Sequence, residues 1–350
     1  MLIDRYLIRE IGASFAAVAI ILTVVFLAYS LTQFLSDAAG GLLSAAEVAE
    51  LTLYKCIIAL EVLLPLGFYF GVVVGLGRLN QHSELTALRA SGVHGARINR
   101  PLVACGALLA AVVAALSLSV RPWAYAEMYA LKNRAEAASE LDRIKPQRFY
   151  FYAGSGRTVY AQDIRDGGRE LSGVFIRTAT ADAIEIIPAP LGRLDAFATP
   201  SRHRLQLVDA SIHKSGGDNA DFYGRFAALT LTVPAKQPVA AEYHRTAAAS
   251  TALLGASRAT EQAELQWRLS TPVSSLLLTL AALMLTDYRP RRSRFARLPL
   301  AVAVYAVYYN LLGVARTWVE QQVLPSLWWA PLLFGGALLA ARLARRRRLA

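Results

Sequence analysis

Six long apolar stretches, three on each side of a 148-residue polar insert, constrain this chain more than any other feature. A transmembrane helix needs about 20 predominantly apolar residues to cross the hydrocarbon core of a bilayer. Glu61 is the only charged side chain in the six stretches, which cover 11–36, 56–77, 101–120, 269–286, 298–315 and 323–341. The sequence therefore predicts an α-helical integral membrane protein with six transmembrane helices.

The layout predicts three parts of the chain. The N-terminal half (1–120) holds three helices, an extramembrane domain (121–268) follows, and the C-terminal half (269–350) holds three more helices and an arginine-rich tail. With 55% hydrophobic residues, the chain lies outside the usual range of soluble globular proteins. Cys56 and Cys105 lie within or beside apolar stretches, so we expect them to be packing residues rather than a disulfide.

Basic residues are concentrated on one side of the predicted topology. Loop 78–100 holds four arginines against one glutamate, loop 287–297 holds five against one aspartate, and the tail after 341 holds five with no acid. The insert is closer to balance, with 19 basic and 16 acidic residues. Because positively charged loops stay in the cytoplasm, we expect both termini and both loops there, and the insert on the other side. The net charge of +12 thus reflects topology and does not indicate nucleic-acid binding.

The insert contains short runs of β-branched and aromatic residues, separated by clusters of Gly, Pro, Asp and Asn. Runs with this spacing predict an antiparallel sandwich or a jellyroll-like β-domain. Every position in 149–152 is aromatic, so this run is either buried on both faces or an edge used by a partner. Flanking helices are expected over 125–145 and 246–266. The predicted strands are 148–153, 158–162, 173–178, 184–187, 205–212 and 226–233.

No pattern in the chain predicts catalysis. A G-x-x-x-x-G-K-[ST] phosphate loop is absent, the five histidines are scattered, and no group of His, Cys, Asp and Glu has metal-ligand spacing. We therefore expect no catalytic site, no metal and no cofactor in this chain. If the protein moves a substrate against a gradient, the energy must come from another chain or from an ion gradient.

Loop 78–100 has the pattern of a short amphipathic helix. Leu85 and Leu88 share one face, and Glu84 lies one turn from Leu88. An apolar face with one carboxylate suits docking into a groove on a cytoplasmic partner. The alternative is a solvated connector between two spans. The expected ends of the helix are Asn80 or Ser83 as the N-cap and Gly92 just after the last turn.

Glu61 and three arginines lie near the outer ends of the apolar stretches. A carboxylate within a span usually faces a cavity or a partner, although Glu61 is also close enough to the interface to snorkel. Arg121, Arg268 and Arg316 suit bidentate binding of a lipid phosphate. The alternative for each arginine is an ordinary interfacial anchor.

Four segments carry a more specific pattern: Met1–Glu10 (MLIDRYLIRE), Leu64–Leu79, Ser83–Gly92 (SELTALRASG) and Glu264–Leu269 (ELQWRL). Together with the layout, they resemble the LptF/LptG family, the permease subunits of the lipopolysaccharide exporter. The second and third segments are similar to the family's second span and coupling helix. The first and fourth are closer to the LptF branch than to the LptG branch. The similarity runs essentially the full length of the chain.

The resemblance implies a non-catalytic subunit of an ATP-driven exporter. It implies a heterodimer with an LptG-type permease, bound to two copies of an LptB-type ATPase that carries ATP and Mg²⁺. It also implies the Gram-negative inner membrane, with 121–268 as a periplasmic β-jellyroll that passes lipopolysaccharide to LptC-type and LptA-type bridge proteins. Glu84 then becomes the coupling carboxylate, with Leu85, Leu88 and Arg89 as its neighbours at the ATPase groove.

The first span departs from the family pattern. Relatives often carry basic residues on its outer part, where they meet lipid A phosphates, whereas 29–33 has none and holds Ser30 and Gln33. Contacts with lipid phosphate are therefore expected from the sister subunit or from Lys55, Arg121, Arg268 and Arg316.

Two other classes of function fit parts of the pattern. A mechanotransmitting permease-like subunit would couple a cytoplasmic ATPase to a periplasmic machine without moving lipid itself. An ion-coupled secondary transporter would need more intramembrane carboxylates than Glu61 and a pair of broken helices in the two halves, which the sequence lacks. Contact between lipopolysaccharide and the inner wall of the β-domain separates the exporter from the mechanotransmitting subunit.

Overall fold

The structure is a computed structural model. It describes residues 2–39, 43–137, 146–152, 156–166, 169–179, 183–196, 202–216, 221–234, 244–286 and 297–347. The chain divides into two compact units. The helical unit comprises Met1–Leu31, Thr52–Met128 and Tyr243–Ala350, and the β unit comprises Thr32–Leu51 and Tyr129–Glu242.

The third apolar stretch continues as one long helix into the insert, because a π-helical turn at Leu116–Val120 joins two α-helices without a break. The helix predicted over 125–145 is confirmed as far as Ala137, and 138–145 lies outside the described residues. The helices are α1 (Leu2–Ala39), α2 (Ala45–Gln81), α3 (Glu84–Ala90), α4 (Gly95–Ala115), α5 (Arg121–Ala137), α6 (Ser250–Leu253), α7 (Ala259–Leu285), α8 (Leu298–Glu320) and α9 (Trp329–Arg347).

Within the described residues, five helices are long and apolar enough to cross a membrane. They are α1, α2, the joined α4 and α5, α7 and α8. The last predicted span is shorter, because the chain turns around Pro325 and α9 begins only at Trp329. Its apolar part, Trp329–Ala344, is shorter than the five helices that are long enough to cross a membrane. The helical membrane fold is therefore confirmed, and the sixth crossing stays a prediction.

The helix predicted over 246–266 was wrong for its first half. The chain forms turns at 245–248 and the single turn of α6, and continuous helix begins only at Ala259. The carbonyl groups of Arg245, Thr246 and Ala248 accept hydrogen bonds from a side chain of α7. The segment has a helical composition, but it is not helical because its carbonyl groups bind a side chain of α7 instead of forming helical hydrogen bonds.

Three glycines on α2 let α1 approach closely. Gly67, Gly71 and Gly75 recur every four residues, a G-x-x-x-G pattern that the sequence analysis missed. A Cβ atom on Gly71 would lie 2.6 Å from the Cα of Phe15, and one on Gly67 would lie 3.1 Å from the Cβ of Ala19. The backbones of α1 and α2 are thus too close for a larger residue at Gly71.

Helix α7 is the central helix of its unit and packs against α4, α8 and α9. Several of its buried hydroxyl groups donate hydrogen bonds to carbonyl groups of the preceding turn, including Ser274 to Ser270 at 2.8 Å and Thr279 to Ser275 at 2.9 Å. These internal bonds satisfy polar side chains that an apolar surrounding would otherwise penalise. Glu264 and Arg268, nearer the start of α7, are also fully buried.

The β unit contains a single antiparallel sheet among the described residues. Its strand order is β1-β2-β4-β5-β6-β7, and β3 pairs with β4 on the same side as β2. The antiparallel insert is confirmed. Apart from β2 and β4, neighbouring strands are consecutive in the chain, as in a meander and unlike the Greek-key connections of a sandwich or jellyroll. The strands are β1 (Phe149–Tyr152), β2 (Arg157–Tyr160), β3 (Asp163–Arg165), β4 (Glu170–Ala179), β5 (Ile184–Ala196), β6 (Arg202–Ser215) and β7 (Phe222–Pro234).

A line of four residues, which we call the crease, crosses the long strands at Gly173, Pro190, Asp209 and Ala227. Regular pairing is interrupted there between β4 and β5, between β5 and β6, and between β6 and β7. Gly173 and Asp209 have φ of +57° and +54°. Elsewhere along these strands buried residues are two positions apart, but across the crease they are three apart. Leu171 is followed by Val174, Ala189 by Gly192, and Leu207 by Ala210. One face of the sheet thus stays inward on both sides of a bend.

Candidate functional site

Four residues that the sequence analysis selected separately lie together at one end of the helical unit. Arg121, Arg268 and Arg316 all contact Glu264 of α7, and Glu61 contacts Arg121. Glu264 begins one of the four family-like segments, but no role was predicted for it. We call these five residues and Glu320 the ion network. The signal that could have found Glu264 and Glu320 is their spacing of four residues from Arg268 and Arg316, which places each pair on one helix face.

Glu264 is the centre of the ion network, with no exposed surface. Its Oε1 accepts from the Nε of Arg268 at 3.0 Å and lies 3.2 Å from the Nη1 of Arg121. Its Oε2 accepts from the Nη2 of Arg316 at 2.9 Å. One buried carboxylate is therefore matched by three guanidinium groups from α5, α7 and α8, which offsets the cost of removing it from water.

Arg268 uses all five of its N–H groups within the protein. Besides Glu264, its acceptors are the Oγ of Ser250 and the carbonyl of Ala248, both at 2.9 Å, and the carbonyls of Arg245 and Thr246 at 3.2 and 3.1 Å. The guanidinium thus fastens the segment 245–250, through which the chain returns from the insert, to the start of α7. This geometry favours a structural role for Arg268 over contact with a lipid phosphate.

Glu61 is bound on two sides and is 2% exposed. Its Oε2 lies 3.1 Å from the Nε of Arg121, and its Oε1 accepts from the hydroxyl of Ser117 at 2.8 Å. Ser117 belongs to the π-helical turn, and its hydroxyl lies 3.0 Å from the carbonyl of Arg268. Of the two predictions for Glu61, a partner on another helix is the one observed. Its carboxylate pairs with Arg121 and does not extend towards the membrane surface.

The ion network reaches the protein surface at Arg316. Its Nε donates to Glu320 at 2.9 Å, its guanidinium lies 5.0 Å from the centre of the Trp267 ring, and 21% of its side chain is exposed. Arg245 also donates to Glu320, at 3.0 Å. Three of the four predicted phosphate-binding residues belong to the ion network, and Arg316 is the most exposed of the three. The fourth, Lys55, is half-buried on α2.

An apolar groove of about 650 Å³ lies beside the network. It runs between α5, α6 and α7, and Ser250 lines it while accepting a hydrogen bond from Arg268. Its other walls are mainly apolar, including Leu118, Pro122, Trp123, Leu254, Leu265 and Leu269. This end of the helical unit thus places an apolar surface next to cationic side chains.

The second candidate site lies on α3, at the other end of α2. Glu61 and Gln81 are separated by 20 residues of helix, or about 30 Å. Leu85 is 2% exposed and belongs to the core of the helical unit, and Leu88 packs against that core. The apolar face of α3 therefore covers the protein's own core, whereas Glu84 is half-buried and Arg89 is exposed. Only the polar face is available to a partner.

The ends of α3 differ in how well the sequence predicted them. Gly92 has φ of +86°, and the N–H groups of Gly92 and Val93 donate to the carbonyls of Arg89 and Leu88, so the predicted helix end is confirmed. Ser83 precedes the helix, but its φ is +58° and its side chain makes no capping hydrogen bond. Both predicted caps were wrong: Asn80 lies within α2, and this turn places Ser83 in the left-handed region.

Two contacts from α1 hold the turn before α3. The hydroxyl of Tyr6 donates to the Oε2 of Glu84 at 2.5 Å, and Glu10 forms an ion pair with Arg78 near the end of α2. Tyr6 and Glu10 are four residues apart and share one face of α1. No sequence pattern assigns a role to Tyr6, Glu10 or Arg78, since nothing in the sequence shows which helix adjoins loop 78–100. Among the described residues, no group of His, Cys, Asp and Glu could hold a metal ion.

Comparison with known proteins agrees with the fold. The sequence profile of the family described as Lipopolysaccharide export system permease LptF/LptG matches residues 5–345. The Lipopolysaccharide export system permease protein LptF of Escherichia coli K12 is 22% identical over 339 residues, which cover 94% of this chain and 90% of that protein. The LptF protein of Shigella flexneri matches with the same identity and coverage. Since the family profile spans nearly the whole chain, the protein belongs to the LptF/LptG family of lipopolysaccharide export permeases.

Proposed function

We propose that this chain is the LptF-type subunit of an ATP-driven exporter that extracts lipopolysaccharide from the outer leaflet of the inner membrane. The observation that carries the proposal is the family match over residues 5–345, on a chain whose apolar helices flank an antiparallel sheet. The chain lacks a phosphate-binding loop, so ATP and Mg²⁺ bind to a separate LptB-type ATPase dimer. The subunit itself is non-catalytic.

The topology of the proposal follows from charge. Both termini, loop 78–100 and loop 287–297 are cytoplasmic, because they carry most of the arginine excess. The insert 121–268 is periplasmic and passes lipopolysaccharide to LptC-type and LptA-type bridge proteins. An LptG-type permease completes the transmembrane cavity, and closure of that cavity pushes the lipid towards the β-domain.

Coupling to the ATPase uses the polar face of α3. Glu84 and Arg89 contact the ATPase, and Leu85 and Leu88 transmit its movement, because their side chains pack on the core of the helical unit. The ion network at the other end joins α2, α5, α7 and α8 with the segment that returns from the insert. A movement that begins at α3 thus passes through α2 into a connected set of helices.

Lipid binding uses the exposed edge of the ion network. We assign lipid phosphate binding to Arg316 and to Lys55 on α2, because both side chains are partly exposed. All N–H groups of the buried Arg268 have acceptors within the protein. Arg121 is 6% exposed and serves mainly to balance Glu61 and Glu264. The apolar groove beside the network suits an acyl chain, because its walls are mainly Leu, Ala, Pro and Trp.

The experiment that tests this function is purification of the complex from native membranes in mild detergent. We expect an ATPase to co-elute with the chain and Glu84→Ala to release it while the permease stays inserted. A matched control is Glu185→Ala, which removes a carboxylate from strand β5 of the sheet. Absence of an ATPase from the wild-type preparation, or its full retention by Glu84→Ala, would contradict the proposed coupling.

A further inference from the structure

The coupling carboxylate is held by the first helix of the same chain. Tyr6 donates to the Oε2 of Glu84 across 78 residues of sequence, at 2.5 Å. The donor is a phenol and the acceptor is a carboxylate oxygen, and hydrogen bonds to carboxylates are about twice as strong as those between neutral groups. The bond therefore selects one orientation of the Glu84 side chain.

The contact is specific to the hydroxyl of Tyr6. Tyr6 is 44% exposed, so it does not belong to the hydrophobic core. One turn later on the same face of α1, Glu10 pairs with Arg78, six residues before Glu84. The two contacts bracket the turn at 82–83, in which Ser83 has φ of +58° and makes no capping bond. The start of α3 is thus positioned from outside, by α1, and not by its own N-cap.

We propose that Tyr6 is a positioning residue for the ATPase contact. It holds Glu84 so that Oε1 faces the partner, where a cationic side chain of the ATPase donates to it, while Oε2 stays bound to the phenol. A free glutamate side chain would lose rotamer freedom on binding, and a side chain already held loses less. This inference rests on the proposed function, because it concerns the same contact between α3 and the ATPase.

The test is a double-mutant cycle with Tyr6→Phe, Glu84→Gln and the double variant, in the full detergent-solubilised permease complex. The measured quantity is the dissociation constant of the purified ATPase. Tyr6→Phe keeps the ring and removes only the hydroxyl, so we expect about a tenfold weaker ATPase affinity, which corresponds to roughly 1.4 kcal/mol. In the Glu84→Gln background the same change is expected to have little further effect.

Tyr29→Phe is the matched control, because it removes an exposed tyrosine hydroxyl from the same helix, far from α3. We expect it to leave the ATPase affinity unchanged. The melting temperature of each variant separates loss of fold from loss of contact, and Tyr6→Phe is expected to match the wild-type protein.

The outcomes distinguish this inference from the function on which it rests. If Glu84→Gln weakens ATPase binding but Tyr6→Phe does not, Tyr6 has no positioning role and the proposed function stands. Equal effects of Tyr6→Phe with and without Glu84 would also overturn the inference, because Tyr6 would then act through another group. If neither substitution alters binding, the coupling role of α3 is itself refuted.

Discussion

Arg268 donates its Nε–H to Glu264 at 3.0 Å, one turn earlier on α7, and neither side chain has exposed surface. Two buried charges are costly to desolvate, and their attraction offsets that cost only when the remaining donors and acceptors are also satisfied. Here the other four N–H groups of Arg268 reach Ser250 and three backbone carbonyls. The pair therefore joins the return segment 245–250 to the transmembrane helices.

Arg268→Ala is expected to destabilise the protein by about 3–5 kcal/mol, since it leaves buried Glu264 and three carbonyls without this donor. Thermal unfolding of the purified complex measures the change. Arg258→Ala is the matched control on the same helix end, because its partner Glu261 is 3.7 Å away and its side chain is 73% exposed. A loss below about 0.5 kcal/mol is expected there. Equal losses for the two variants would contradict the structural role of Arg268.

Ser117→Ala tests the junction between the π-helical turn and the ion network. The hydroxyl donates to Glu61 at 2.8 Å, and its removal leaves Oε1 of a buried carboxylate without that partner. We expect a loss of about 1–3 kcal/mol in unfolding free energy. Ser119→Ala, in the same turn, is the control and should cost less, because Ser119 lines the open groove. A neutral Ser117→Ala would contradict a stabilising contact between Ser117 and Glu61.

Gly71→Ala tests the close approach of α1 and α2. The added methyl group would lie 2.6 Å from the Cα of Phe15, so the helices must separate, at a cost of about 1–3 kcal/mol. Gly12→Ala on α1 is the control, since a Cβ there would meet nothing within 4 Å. Alanine favours helix over glycine, so Gly12→Ala should be neutral or stabilising. Tolerance of Gly71→Ala in a melting experiment would contradict the observed packing.

Asp209 tests the crease of the sheet. Its φ of +54° suits Asp, Asn or Gly and strains a β-branched residue. Its carboxylate also accepts hydrogen bonds from the Nε and Nη2 of Arg225, at 3.1 and 3.0 Å. We expect Asp209→Val to lower the melting temperature more than Asp209→Asn, which keeps the backbone preference. Equal losses for the two variants would show that the ion pair, which both substitutions remove, sustains the crease rather than the backbone conformation.

The same pair predicts a pH dependence. The hydrogen bond from Arg225, and then its charge, hold the pKa of Asp209 below its ordinary value. A carboxyl group with a lowered folded-state pKa stabilises the fold above its unfolded pKa, and this contribution is lost as the pH falls through the folded value. The difference in melting temperature between wild type and Asp209→Asn should therefore be constant above about pH 5 and shrink below about pH 4. A difference that grew on acidification would contradict this assignment.

Sequence reasoning succeeded where one local pattern decides the structure. Apolar stretches of membrane length predicted α1, α2 and α7, and β-branched runs predicted most strands, because burial on one face leaves a periodic signal. It failed where the answer depends on which elements are neighbours. Periodicity placed Leu85 and Leu88 on one face of α3, yet could not show that this face covers the chain's own core. The convergence of Glu61, Arg121 and Glu264 likewise depends on helix packing that the sequence does not state.

The proposed function predicts that lipopolysaccharide passes along the inner face of the sheet when ATP is hydrolysed. The most direct measurement is photocrosslinking in proteoliposomes that hold the complete exporter and lipopolysaccharide, with the photoreactive residue at Leu229 or at its neighbour Thr230. Leu229 packs against the sheet core and Thr230 is exposed on the other face of β7. We predict ATP-dependent crosslinks at Leu229 and few at Thr230. Equal labelling of the two positions, or none at Leu229 with ATP, would contradict the exporter and favour a subunit that transmits movement without carrying lipid.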